Sequence, residues 1–247
     1  MDRRTLFEQY SPQFGHIQVC EEEYEGNPVR MLLVNGGQES ACFRDETRRH
    51  ELVFDYTEKL DRIFAAMPEL QSTLLIGGAG FSYPRYYISH YPKRTMTVIE
   101  INALMPELAR RYFWLDELWA EYDLAENRRL EIYIDDGSHY LKHTQRRFDA
   151  ILNDAYVGDV PDRPLQERTA IEHIRDRLNP DGVYIINLIA ARSGPLAASC
   201  AREQALLREY FAECVLIPCD KRLDPQLEQN CILLASDRPL KWLFRYF

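Results

Sequence analysis

No stretch of 18 consecutive apolar residues occurs in the sequence, so no segment reads as a membrane span. The N-terminus, Met1-Asp2-Arg3-Arg4-Thr5, reaches Glu8 without an apolar run; it does not read as a secretory leader, and a cytoplasmic location is the expectation. The six cysteines, Cys20, Cys42, Cys200, Cys214, Cys219 and Cys231, form no Cys-x-x-Cys pair, and most sit in apolar strand-like runs. Buried free thiols are therefore expected rather than disulfides or a zinc site. His139 and His143 stand four apart behind Asp135-Asp136, but no third ligand lies nearby and Lys142 intrudes, so no metal is expected. Positive charge is in short supply: 30 Lys and Arg face 39 Asp and Glu, a net charge of −9. Binding phosphates needs a basic face, so the charge balance argues against a nucleic-acid partner. Internal repeats and low-complexity segments are absent.

What is present is a globular chain of 247 residues, 46% hydrophobic and 28% charged, enough for one large domain or a core domain with a small appendage. Residues 15 to 43 read as an antiparallel β unit. His16 to Cys20 alternates, Glu25-Gly26-Asn27-Pro28 supplies turn chemistry, and Val29 to Val34 returns as a strand. Asn35-Gly36-Gly37 breaks that strand and Glu39 to Phe43 resumes it. Arg48 to Phe64 reads as a helix with Leu52, Tyr56, Leu60 and Ile63 on one face. From residue 72 buried strands alternate with amphipathic helices. Strands are expected at 73–77, 95–100, 130–134, 148–153, 182–189, 213–217 and 230–235. Helices are expected at 83–90, 103–113, 138–146, 165–178 and 196–211. The last two strands leave no room for a helix between them, which predicts an antiparallel end to a parallel sheet. The alternation specifies a doubly wound α/β sheet with ligands at the C-terminal strand edges. The expected division is a β-hairpin unit over 1–55 and a nucleoside-binding domain over 56–247.

Ile76-Gly77-Gly78-Ala79-Gly80 turns the chain from a short buried strand toward a helix, where glycines let the backbone approach a nucleoside. Val98-Ile99-Glu100-Ile101-Asn102 places Glu100 at the next strand tip, where a carboxylate can accept both hydroxyls of a ribose. A dinucleotide site would want a third glycine where Tyr83 stands, so an adenosine without a pyrophosphate, such as S-adenosylmethionine or a relative, is the better fit. Asp135-Asp136-Gly137 and Asn153-Asp154-Ala155-Tyr156 end two further strands on the same edge. Asp136 can accept a hydrogen bond from an exocyclic amine, or cap the following helix in rivalry with Ser138, and one residue can do both. Asp154 leaves a buried strand into a cleft, as expected of a general base or a cation clamp. The Gly- and Pro-bearing loop from Tyr156 to Asp162 is of the kind that closes over sites.

From about residue 16 to 235 the order of these motifs resembles the spermidine synthase (polyamine aminopropyltransferase) family, in a divergent branch. That resemblance implies an N-terminal β domain ahead of a methyltransferase-like Rossmann domain. Within Val34-Asn35-Gly36-Gly37-Gln38, Gln38 looks like the glutamine that contacts the nucleoside substrate, and Asp45-Glu46 to His50-Glu51 like the block that follows it. Gly77, Gly78 and Gly80 fall in the glycine-rich loop, Glu100 on the ribose-binding acid, and Asp136-Gly137 on the adenine-side pair. Asp154 falls on the catalytic aspartate and Pro161 on the proline of the gatekeeping loop. The resemblance implies direct displacement: a neutral amine attacks the aminopropyl carbon beside a sulfonium, methylthioadenosine leaves, and Asp154 with Tyr156 takes the proton.

Three positions depart from the family pattern. Gly80 stands where an acid holds the amine end of the decarboxylated donor, Val157 replaces a second loop acid, and Arg49 replaces a tyrosine, bringing a cation near the expected pocket. Asp159 is the candidate replacement for one lost acid. The leading expectation is a transferase that uses decarboxylated S-adenosylmethionine and an amine acceptor. The alternatives are a methyltransferase using S-adenosylmethionine itself and a non-catalytic nucleoside-binding homologue, with a homodimer as the expected assembly.

Overall fold

The computed structural model describes residues 3–157, 160–161 and 163–247, without the side chains of 156–164. Four antiparallel strands come first: β1 (Arg4–Ser11), β2 (Gly15–Tyr24), β3 (Asn27–Val34) and β4 (Gly37–Phe43), paired in that order. The tight turns fall at positive-φ residues, Glu25-Gly26 between β2 and β3 and Asn35-Gly36 between β3 and β4. β1 lay outside the sequence expectation because it is an edge strand, exposed over most of its length, with no apolar alternation.

A short 3-10 turn, Glu46–Arg48, is capped by Asp45, whose carboxylate accepts the Thr47 N–H. The first helix, α1 (Asp55–Ala66), then starts seven residues later than the periodicity from Arg48 suggests. The reason lies in three consecutive apolar residues. Leu52 buries in the main core while Val53 and Phe54 pack against the N-terminal sheet, and one helix turn cannot face both ways.

The rest alternates as expected: β5 (Ser72–Ile76), α2 (Ser82–His90), β6 (Thr95–Glu100), α3 (Leu104–Tyr112), α4 (Leu115–Glu121), α5 (Leu124–Asn127), β7 (Leu130–Ile134), α6 (Gly137–His143) and β8 (Phe148–Asn153). Then come a two-stranded pair, β9 (Tyr156–Val157) and β10 (Val160–Pro161), and α7 (Arg168–Arg177), β11 (Leu178–Ala190), α8 (Ala198–Tyr210), β12 (Glu213–Pro218) and β13 (Gln229–Ser236). The short α4 and α5 were not anticipated; α5 is a single turn flanked by left-handed residues Asp123 and Arg128.

The seven-stranded sheet runs β12-β13-β11-β8-β5-β6-β7, all parallel except β13, which is antiparallel to both neighbours. This is a methyltransferase-like Rossmann sheet, with its antiparallel strand one place in from the edge. Central strands are apolar on both faces, as parallel strands under helices must be. Leu74, Leu75, Val98, Ile151 and Leu152 are all 2% exposed or less, each contributing roughly 1.5–3 kcal/mol of burial. The Asp149 carboxylate fixes the start of β5 against β8 by accepting the N–H groups of Gln71 and Ser72, both at 2.9 Å.

The N-terminal sheet docks over the start of α2 and against α3. Ile17, Val19, Leu32 and Val34 pack on Met105, Leu108 and Phe113. The Ser82 hydroxyl donates to the Ala41 carbonyl at 2.6 Å and lies 2.8 Å from the Ser40 hydroxyl. Among the described residues, no helix is long and apolar enough to cross a membrane.

Candidate active site

Strand register brings the polar tips together. Ile76 pairs with Ile99 on one side and Asn153 on the other, and Glu100 pairs with Ile134. The ladder continues one step past the strands: Gly77 N–H donates to the Ile99 carbonyl, Asp154 N–H to Ile76, and Asp135 N–H to Glu100, at 2.9, 2.9 and 3.1 Å. Gly77, Glu100, Asp135 and Asp154 therefore leave the sheet side by side.

Gly77 has φ +95°, and a Cβ there would lie 2.5 Å from the Asp154 carbonyl oxygen. Only glycine tolerates both the conformation and the contact. The Glu100 carboxylate, 6% exposed, ties the loop down. One oxygen accepts the N–H groups of Gly78 and Ala79 at 2.8 and 3.0 Å, and the other accepts the Asn102 N–H at 2.8 Å. A carboxylate oxygen has two acceptor sites, so the oxygen bound to Asn102 keeps one site for a sugar hydroxyl while the other oxygen is filled by the loop. The Asp136 carboxylate caps α6, accepting from the His139 N–H at 2.8 Å, and the rival cap Ser138 donates its hydroxyl to Asp136 instead. Burial raises the Asp136 pKa, but the bonds from Ser138 and His139 outweigh it and the net direction is downward. His139 in turn faces Asp135 at 2.9 Å, and the His143 ring nitrogen meets the His139 carbonyl at 2.8 Å.

The edge opens into a cleft of two lobes that share Glu39, Gly77, Ala79 and Asp154 as a common wall. The smaller lobe, about 230 Å³, is lined by Glu100, Ile101, Met105, Asp136 and Gly137. The larger, about 360 Å³, is lined by Tyr24, Asp55, Tyr56, Asn187 and Asp220. Four carboxylates, Glu39, Asp55, Asp154 and Asp220, border the larger lobe, and among the described residues no lysine or arginine does.

Asp154 sits where the lobes meet. Asn187 on β11 donates to one of its oxygens at 2.8 Å and the Tyr56 hydroxyl of α1 to the other at 3.3 Å; Asn187 is itself held by Asn230 of β13 at 3.1 Å. Burial pushes the Asp154 carboxyl up to about 6, against the lowering effect of the Asn187 and Tyr56 hydrogen bonds. It is thus poised near neutrality, where a group that exchanges protons works best.

Of the residues named from sequence, Asp154 borders both lobes, Gly77 likewise, Glu100, Asp136 and Gly137 the smaller, and Gly78 the larger. Gln38 is exposed and borders the larger lobe, not the smaller one. Gly80 borders neither. A Cβ at Gly80 would lie 2.7 Å from the Ser40 Cβ, so Ser40 occupies the space an acidic side chain at 80 would need. Arg49 brings no cation to the cleft: its guanidinium bonds Glu121 of α4 at 2.8 Å, outside both lobes. The side chains of Tyr156, Val157, Asp159 and Pro161 lie outside the described residues.

Sequence reasoning missed Tyr56, Asn187, Glu39, Asp55 and Asp220. Asn187 carried a usable signal, as the one polar residue inside the apolar run Tyr184-Ile185-Ile186-Asn187-Leu188-Ile189. Tyr56 was assigned to the apolar helix face, and the acids come from segments far apart in sequence.

A family model for the spermine/spermidine synthase domain matches residues 10–194. The chain is 24% identical over 183 residues to the polyamine aminopropyltransferase of Thermococcus onnurineus, covering 74% of this chain and 59% of that protein. It is 22% identical over 218 residues to the eEF1A lysine and N-terminal methyltransferase homolog of Drosophila melanogaster, covering 76% of this chain and 31% of that protein. The chain thus spans less than two thirds of the length of either relative. A solved structure of a probable spermidine synthase from Corynebacterium glutamicum superposes with a TM-score of 0.77 at 21% identity, covering 98% of this chain and 85% of the other, a likeness of fold.

Proposed function

Since the chain belongs to the spermine/spermidine synthase domain family, we propose that it is a transferase that moves an aminopropyl group from a decarboxylated S-adenosylmethionine-type donor to an amine. The observation that carries this reading is the position of Asp154 on the wall between a nucleoside-sized lobe and a lobe bordered by four carboxylates. Glu100 and Asp136 would hold the ribose and adenine of the donor in the smaller lobe, with the Gly77–Ala79 backbone beneath. The acids of the larger lobe suit a polycationic acceptor, because a desolvated ammonium needs a paired carboxylate. Two of the acids expected from the family pattern are missing at 80 and 157, and Asp55 and Glu39 bring carboxylates from other segments, whereas Asp220 is already paired with the Arg222 guanidinium at 3.0 Å.

A primary amine has a pKa near ~10.4 and arrives protonated. The acceptor nitrogen gives up a proton, its lone pair forms the N–C bond, and the C–S bond breaks to release neutral methylthioadenosine. Asp154 receives the proton, oriented by Asn187 and Tyr56, and its raised pKa lets it do so near neutral pH. Holding donor and acceptor on either side of one wall contributes the orientation that bimolecular displacement lacks in water.

Methyl transfer on the same scaffold is favoured by one specific observation. Where the family pattern puts an acid for the donor's tail, position 80 is a glycine off the cleft, and the wall of the larger lobe there is formed by Ser40 and Ser82, neutral hydroxyls that do not repel a carboxylate as an aspartate would. Incubation with either donor and a panel of amines, read by mass spectrometry, separates the readings. Methylthioadenosine from the decarboxylated donor supports aminopropyl transfer, and S-adenosylhomocysteine from S-adenosylmethionine supports methyl transfer. Nucleoside binding without either product leaves the non-catalytic reading.

A further inference from the structure

Beyond the two-lobed cleft, a separate cavity of about 240 Å³ opens between the end of β11 and the start of α8. Leu188, Ile189, Ala190 and Leu206 line it, with Glu203 and Arg202 as its charged groups. Glu203 is the anomaly. It is 7% exposed, and one of its carboxylate oxygens is buried without any hydrogen-bond partner. Burying a carboxylate with nothing to pair it costs several kcal/mol, so such a group is retained where a ligand supplies the missing partner. Burial alone pushes its carboxyl up to about 7, with no neighbouring charge contributing. The Gln204 amide donates to the nearby Cys200 sulfur at 3.4 Å, and Arg202, exposed to solvent, lines the cavity as well.

Ile189 connects this cavity to the rest of the site, since it borders both this cavity and the larger lobe that carries Asp154. The two spaces are neighbours across one side chain at the C-terminal edge of the sheet. With a water's share of volume at about 30 Å³, the cavity has room for a short aliphatic arm ending in an ammonium. We propose that Glu203 and its cavity form a second amine subsite, which receives the far ammonium of a long linear polyamine whose near amine lies at Asp154. This rests on the amine-acceptor reading of the larger lobe. It assigns the chain a preference by length: acceptors long enough to pass Ile189 gain a charge-assisted bond that short diamines do not reach.

The test is calorimetric binding of a short diamine and a linear tetraamine to the full chain, in the presence of methylthioadenosine. Wild type is compared with Glu203→Gln and Asp154→Asn. Glu203→Gln is close to isosteric and removes a charge that has no partner, so it keeps the fold, as an unchanged or higher melting temperature verifies. The expected result is that Glu203→Gln weakens the tetraamine about tenfold or more and leaves the diamine within twofold of wild type. If Glu203→Gln binds both amines as wild type does while Asp154→Asn weakens both, the second subsite is overturned and the acceptor reading stands. If wild type binds neither amine, the acceptor reading fails and takes the subsite with it.

Discussion

Replacing Asp154 by Asn gives a prediction in which function and stability move in opposite directions. Burial holds the Asp154 carboxyl at about 6, against an ordinary 3.8. A tenfold change in proton affinity corresponds to about 1.36 kcal/mol, so full ionisation disfavours the folded state by up to about 3 kcal/mol. The side chain faces an open cleft, and solvent screening lowers the usable figure to about 1–2 kcal/mol. The carboxyl is raised, so the folded state holds this proton more tightly than the unfolded chain does. Stability from this group is therefore greatest below about pH 4, where both states are protonated, declines between about pH 4 and 6, and stays low above that. Asp154→Asn keeps an acceptor for the Asn187 amide and cannot ionise. At pH 8 the variant is expected to melt about 2–6 °C above wild type, and at pH 4 the two melting temperatures should converge. Turnover should fall by about a hundredfold or more, the scale of a lost proton acceptor, with methylthioadenosine affinity unchanged. Calorimetric melting of both proteins across this pH range, with a product assay at pH 8, decides the matter. A variant less stable than wild type at pH 8, or a stability difference that does not vary with pH, would refute the reasoning, as would wild-type turnover.

Two further outcomes follow from the loop and its supports. Glu100→Ala should abolish the stabilisation by methylthioadenosine or S-adenosylhomocysteine, which at a hundredfold excess over Kd is about 2.7 kcal/mol and plain in a thermal-shift assay; a retained shift would remove Glu100 from the nucleoside site. Gly80→Asp should destabilise by about 1–3 kcal/mol through its clash with Ser40, and Ser40→Gly in the same chain should recover most of that. The double variant should also bind the decarboxylated donor at least tenfold more tightly than S-adenosylmethionine; equal affinities would show that position 80 does not read the donor's tail.

Much of this arrangement was legible in the sequence. The sheet strands carried apolar runs with polar or glycine punctuation, and three of them ran directly into an acid at the C-terminal tip. Glu100, Asp136 and Asp154 stood out on that basis. What stayed hidden was set by tertiary contact. Arg49 was expected near the pocket, but Glu121, contributed by an unanticipated helix, draws it away. The loss of an acid at 80 could be read from sequence, whereas its cause could not: Ser40 arrives there from another sheet. Tyr56 was legible as part of an amphipathic helix, yet its hydroxyl bonds a carboxylate 98 residues on, a pairing no local pattern encodes.

The placement of β13 bears on when the site comes into being. Asn230, carried by that strand, steadies Asn187, which steadies Asp154. Because β13 slots between β11 and β12 rather than adding to an edge, the sheet is left with an unfilled gap until residues 229–236 have been made. At about 5–20 residues per second, a growing chain carries Asp154 for several seconds before Asn230 exists. In that interval the rim of β11 presents unpaired backbone groups, a template for wrong partners that chaperones or rapid folding must cover. The full set of hydrogen bonds behind Asp154 is thereby coupled to the last event of sheet closure, so partly synthesised chains hold the glycine loop, Glu100 and Tyr56 before Asn187 gains its support from Asn230.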